Sequence, residues 1–495
     1  MKFTGIEKRG RGSFWLRAAL GLGLSLLLVL LLSLSGCGQA RETARMTEAA
    51  ETKSASERET AQESADPAEG GDGQESASVS ENSPESGSVS GNGDLGEEVR
   101  EHFPVRGIYV TGAMAGTSGV DGLIELVDRT ELNTLVIDIK NDEGYLVCDL
   151  DVPLAKQIGS CKAYVRDMPD LIRRCKEKGI YLIARVVAFK DPVLAQAVPE
   201  WSLHNADGSI FYDKSGQAWV NPYRREIWEY LADVSEAAVK LGFDEVQFDY
   251  VRFSTDSGMK QVDFGSEASE QSKTEVISAF AAYAAERIHR VDAAVSADVY
   301  GVVIDSVQDQ QIVGQDYAEL AKYLDALSPM VYPSHYGPYN YNIPVPDAQP
   351  YDTVLAAMQA SKKVLAGLDP RTGLRPGASV SGNSAAGGNS AVSENRAVSG
   401  NDAVSGNDAS GNGPSVSLSK EQIAALSPQE GVRAVVRPWL QDFTATWVKG
   451  HISYGPEQIR EQIRAVQDAG YEEWILWNAA NRYTEGGLLP EEGGA

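Results

Sequence analysis

A chain of 495 residues with 42% hydrophobic side chains is long enough for one large core of about 250–300 residues plus tails. Its formal net charge of −26 would repel a phosphate backbone, which excludes nucleic acid as a partner. Five scattered histidines and four cysteines form no cluster at metal-ligand spacing, so neither a metal nor an organic cofactor is expected.

In chain order, Lys2, Lys8, Arg9, Arg11 and Arg17 precede an apolar run from Ala18 to Leu34, a positive segment followed by a hydrophobic one. The run meets Leu34-Ser35-Gly36-Cys37, which resembles the lipobox of a bacterial lipoprotein signal. That resemblance implies cleavage before Cys37, a lipid on Cys37 that ties the protein to the membrane, and a domain on the outer face of the cell. The other reading is an uncleaved anchor, since about 17 apolar residues is the lower limit for spanning a bilayer. Cys148, Cys161 and Cys175 are odd in number, so free thiols are expected, with a Cys148–Cys161 pair as the other option. Residues 38–99 are rich in Ser, Glu, Ala, Gly and Asn and bury too little to offset chain entropy, which makes them a disordered spacer.

Strand and helix patterns then alternate. Strands are expected over 105–111, 132–140, 180–189, 243–249, 295–300, 326–333, 432–439 and 474–478. Helices are expected over 119–130, 167–178, 274–291, 317–324, 351–368 and 456–469, with one more opened by Asn221 and Pro222. In that helix Ile227, Leu231, Val234, Ala238 and Leu241 mark the buried face. Residues 377–417 repeat Ala-Val-Ser-Gly-Asn-Asp and read as a flexible insertion between a helix and a strand. Eight strand–helix units give an α/β fold, a (β/α)8 TIM barrel. The organisation is a signal at 1–37, spacer at 38–99, barrel at 100–376, insertion at 377–417, second barrel part at 418–486 and tail at 487–495.

Active sites of such barrels lie at the carboxyl ends of the strands. Asp249, Asp298, Asp442 and Asp138 all fall near such ends, and glycoside cleavage needs two carboxyls, one to protonate the leaving oxygen and one to attack or to activate water. Tyr109, Tyr250, Tyr300, Tyr332, Tyr336, Trp439, Trp477 and Tyr483 lie at the same rim, where flat rings stack on sugar faces or else simply pack. Structural roles stand beside each of these. Asp249 can pair with Arg252, Asp298 can anchor hydrogen bonds, Asp442 can be a satisfied core acid, and Asp138 can pair with Lys140. His335 reads as a polar rim residue or a hydroxyl donor. No Gly-x-Ser-x-Gly turn or Cys/His pair supports a Ser or Cys hydrolase.

The stretches Arg106-Gly107-Ile108-Tyr109, Ile137-Asp138-Ile139-Lys140, Phe248-Asp249-Tyr250-Val251-Arg252-Phe253, Ser328-Pro329-Met330-Val331-Tyr332-Pro333, Trp439-Leu440-Gln441-Asp442 and Trp477-Asn478-Ala479 resemble a widespread bacterial family of glycoside hydrolases. More distantly the chain resembles the alpha-amylase type of barrel. That likeness implies Asp249 as nucleophile after strand four, Asp298 as general acid after strand five and Asp442 as a stabilising acid after strand seven. Gln247 stands where the amylase type has an arginine, and Asp298 where it has a glutamate, so the acid role stays open between Asp298 and Asp138. Asp138, Lys140, Tyr109, Tyr250, Arg252, Tyr332, His335, Trp439, Trp477 and Asn478 are the expected substrate contacts. The expectation is a lipid-anchored, monomeric extracellular enzyme that hydrolyses a polysaccharide or wall glycan; the alternative is a non-catalytic envelope protein that binds glycan with a degenerate barrel.

Overall fold

The computed structural model describes residues 103–375 and 418–490. The signal, Cys37, the spacer and the low-complexity insertion lie outside the described residues. Eight parallel strands form a closed barrel: β1 (Arg106–Val110), β2 (Thr134–Lys140), β3 (Tyr181–Val187), β4 (Glu245–Asp249), β5 (Ala294–Tyr300), β6 (Ala326–Met330), β7 (Trp439–Gln441) and β8 (Trp474–Trp477). Closure is made where Trp439 of β7 sits opposite Met330 of β6 and where Leu476 of β8 sits opposite Ile108 of β1. Around the outside run α1 (Gly119–Asp128), α2 (Met168–Glu177), α3 (Arg225–Leu241), α4 (Lys273–His289), the single turn α5 (Tyr317–Leu320), α6 (Pro350–Leu365) and α7 (Pro456–Asp468).

The strands form because their residues are apolar on both sides, as a sheet covered by helices outside and packed inside requires. Every residue of β2 and β4 is buried. Outward side chains join the helices in one core, while Val105, Tyr109, Val136, Ile183, Tyr332, Trp439 and Ile475 make a separate cluster. Several expected boundaries move, two of them at identifiable residues. Asn221 accepts the Tyr223 N–H at 3.2 Å in a turn and donates to the Phe264 carbonyl, so α3 starts at Arg225. The strand expected over 432–439 is broken: Val435–Val436 pairs with β6, and Pro438, which has no N–H to give, separates it from β7. The chain also stays packed beyond residue 486, where Leu488 is buried and Leu489 bonds Glu131.

Because strand residues alternate between faces, Glu245, Gln247 and Asp249 share one side of β4. They form a polar column from the closed end of the barrel to its mouth. At the closed end Arg437 donates to Glu245 at 2.7 Å and to Glu473 at 2.6 Å, and Glu245 also accepts from Tyr181 and Ser296. Above it Gln247 donates to Ser328 at 3.1 Å, while its side-chain oxygen is buried without a partner. Asp249 ends the column at the mouth.

Candidate active site

Asp249 is the last residue of β4, and Asp298 lies on β5 beside it. The strands pair Phe248 with Ala297, and each aspartate is the next residue along, which places their Cα atoms about 5 Å apart. Residue Tyr250, immediately after Asp249, has φ 50°, a left-handed conformation that strains a bulky side chain by about 1 kcal/mol and recurs at functional sites. Its ring meets Trp219 at 5.9 Å and lies under the Lys190 ammonium at 4.6 Å. Arg252 sits over the rings of Trp219, Tyr250 and Tyr300 at 4.5–5.1 Å and donates to the Phe253 carbonyl, while Arg185 is salt-bridged to Asp249.

Arg185 is the residue the sequence reading missed. It sits on β3 two residues along from Ile183, on the inward face, and is 1% exposed. Its Nε and Nη2 donate to one oxygen of Asp249 at 3.0 and 2.5 Å, Nη1 donates to Asp138 at 2.8 Å, and Nη2 also donates to Asp142 at 2.8 Å. Burial works against its charge, but the carboxylates of Asp142, Asp249 and Asp138 and the Tyr109 ring outweigh that and hold its pKa well above the ordinary value. A lone arginine at inward parity in an otherwise apolar strand was the available signal.

Asp138 is buried and accepts from the Tyr109 hydroxyl at 2.8 Å and the Gly112 N–H at 3.2 Å. Burial raises its pKa, with Arg185 opposing. Asp138 does not pair with Lys140. A register shift between these two residues on β2 turns them apart, and Lys140, fully buried, bonds Asp191 at 2.9 Å and the Val187 carbonyl at 2.7 Å. Asp298 is 2% exposed and accepts the Trp439 indole N–H at 2.6 Å. Burial lifts its pKa well above the usual carboxylate range, the Asp249 charge adds to that, and the Trp439 N–H opposes it.

Around these acids, Tyr109 stacks on Trp477 at 4.2 Å, Trp439 meets Trp477 edge-on at 5.5 Å, and Arg185 lies 5.4 and 5.6 Å from the Tyr109 and Trp477 rings. Tyr332 packs against His335 and Phe443 at 5.0 and 6.0 Å. Burial lowers the His335 pKa to about 4, so its ring is neutral in the physiological range. Asp442 and Asn478 serve the loops. Both Asp442 carboxylate oxygens are taken by Thr484, at 2.8 Å from its N–H and 2.6 Å from its hydroxyl, and Asn478 donates to the carbonyls of Asp442 and Arg482. Burial raises the Asp442 pKa and the Thr484 bonds oppose it.

Among solved structures, a hypothetical protein of Ruminiclostridium thermocellum is similar at 34% identity over 39% of this chain and 97% of its own, with a TM-score of 0.36. The glycoside hydrolase domain of PgaB (BpsB) from Bordetella bronchiseptica overlaps 76% of this chain and 94% of its own at 11% identity and a TM-score of 0.47. The spore cortex-lytic enzyme SleL of Bacillus megaterium overlaps 77% of this chain and 72% of its own at 9% identity and a TM-score of 0.38. No curated protein matches the chain. Matched over residues 107–377 and 414–483, more than half of its length, the chain belongs to the family described as "Putative glycosyl hydrolase domain".

Proposed function

We propose that the barrel hydrolyses a glycosidic bond in an extracellular polysaccharide or wall glycan, with Asp249 as nucleophile and Asp298 as general acid. The observation that carries this is the contrast between two neighbouring strand-end carboxyls. Asp249 is salt-bridged to Arg185 at 2.5 Å, while neighbouring Asp298 is desolvated and favours its proton. A carboxyl held by a cation beside a second one kept protonated by burial is a pair that glycoside cleavage can use. Membership of a glycosyl hydrolase family supports the same chemistry. Asp442, whose two oxygens accept from Thr484, is read here as a loop anchor rather than as one of the reacting pair. Anchoring through Cys37 at the outer face of the membrane fits a polymeric glycan substrate.

The test is reducing-end release from a panel of wall and plant glycans. Asp249→Asn abolishes release and leaves the melting temperature within a few degrees, since Arg185 keeps Asp138 and Asp142 as partners. An Asp249→Asn protein that still cleaves removes the nucleophile assignment. Retained binding with no release by the wild type would instead leave a glycan-binding barrel.

A further inference from the structure

We infer that Asp142 is a substrate-contacting residue, a third carboxylate at the mouth that accepts hydroxyl groups of the sugar seated on Asp249. This role presupposes the glycan site proposed above and adds a residue that sets which sugar it takes. Asp142 lies two residues beyond β2, on a loop at the carboxyl end of the barrel. The Nη2 of Arg185 lies 2.8 Å from an Asp142 oxygen and 2.5 Å from an Asp249 oxygen. Two oxygens held by one nitrogen at those lengths are at most about 5 Å apart, close enough for both carboxyls to flank one sugar ring.

Exposure separates the acids on Arg185. The Asp142 side chain is 41% exposed, against 11% for Asp249 and 4% for Asp138. Of these three, Asp142 presents the most carboxylate to an incoming ligand. The loop is also fixed in advance: Asn141 accepts the N–H groups of Glu143 and Tyr145 at 3.2 and 2.9 Å, and its own N–H donates to the Tyr145 carbonyl at 2.9 Å. A side chain on such a turn offers its oxygens with little ordering cost. Half-buried Trp477, whose ring lies 5.6 Å from the Arg185 guanidinium, supplies a ring for the sugar face.

A carboxylate in a salt bridge accepts hydrogen bonds and has no proton to donate, whereas sugar hydroxyls are donors. Asp142 therefore suits hydroxyl capture, and proton delivery stays with Asp298.

The test titrates chitohexaose, cellohexaose, maltohexaose and xylohexaose into Asp249→Asn protein by calorimetry. At least one binds, and adding Asp142→Asn weakens that binding about tenfold to a hundredfold, the effect of losing hydrogen bonds to a charged acceptor. Asp142→Glu, which keeps the charge on a longer arm, restores part of it. The neighbouring change Glu143→Gln leaves affinity unchanged. Equal affinity with and without Asp142→Asn overturns the inference, as does failure of all four sugars to bind. Cleavage by wild type with no Asp142 effect on binding removes this contact and keeps the hydrolase. Asp142-dependent binding in a protein that cleaves nothing does the reverse.

Discussion

Arg185 neutralises a mouth that would otherwise hold several carboxylates within a few ångströms of one another. Replacing it by Met leaves Asp138 and Asp249 without their cation, and breaking a buried pair from one side costs about 3–5 kcal/mol. Denaturant unfolding of Arg185→Met should show a loss of that size; a loss under about 1 kcal/mol would mean that solvent already screens the pair. Arg185→Lys keeps the charge and loses the fork, so activity should fall much further than stability. Asp298 contributes a pH dependence of its own. Its folded pKa is raised, so the folded protein binds a proton that the unfolded chain has released. Stability contributed by that proton is fully present below about pH 4, the unfolded value, and is lost as pH rises toward the folded value. Asp298→Asn mimics the protonated form permanently. Unfolding midpoints should therefore fall with rising pH more steeply in wild type than in Asp298→Asn, and parallel curves would show Asp298 ionised throughout.

At the scale of elements, strand ends set chemistry through short connections that tolerate little. Gly112, just after β1, donates its N–H to Asp138, and a Cβ there would come within 2.4 Å of Val147. Gly112→Ala must push the β1 connection off Asp138, costing about 1–3 kcal/mol and lowering activity with it. A variant with unchanged melting temperature and unchanged turnover would show that the connection yields freely. The loop after β7 gives a contrasting case: Asp442→Asn should lower stability and keep most activity, because its partner is Thr484 in the loop after β8. All eight strands were legible from apolar runs between turn signals, since a strand buried on both faces leaves that mark whatever its partners. The β7 interruption at Pro438 was also open to reading, from the missing N–H alone. Arg185 was hidden because one charge inside an apolar run does not alter the strand pattern, and its partners lie 43 to 64 residues away in sequence. The turn of Lys140 away from Asp138 depends on a register shift against β3 that no periodicity records. Thr484 is 42 residues from Asp442, and nothing local announces their contact.

For the whole molecule, the two ends of the barrel divide the labour. Arg185, Asp249, Asp298 and the rings occupy the end where strands run into helices. The carboxyl end of α6 and the start of the Val435–Val436 strand belong to the opposite end. The matched family stretches stop at 377 and resume at 414, leaving most of the low-complexity insertion out of the shared domain. At the same end is a cavity of about 330 Å³ lined by residues that include Lys362, Leu365, Leu426, Val436 and Tyr471. Replacing residues 378–413 by a short Gly-Ser linker should leave the proposed glycan cleavage unchanged, since no residue of the mouth is replaced. Closing a shorter connection costs less entropy, so stability should hold or rise by about 1 kcal/mol. Calorimetric melting and turnover of the deletion protein decide it. A lower melting temperature would mean that the insertion packs against the barrel, with the cavity as the place to look, and lost turnover at unchanged stability would mean that the far end communicates with the mouth.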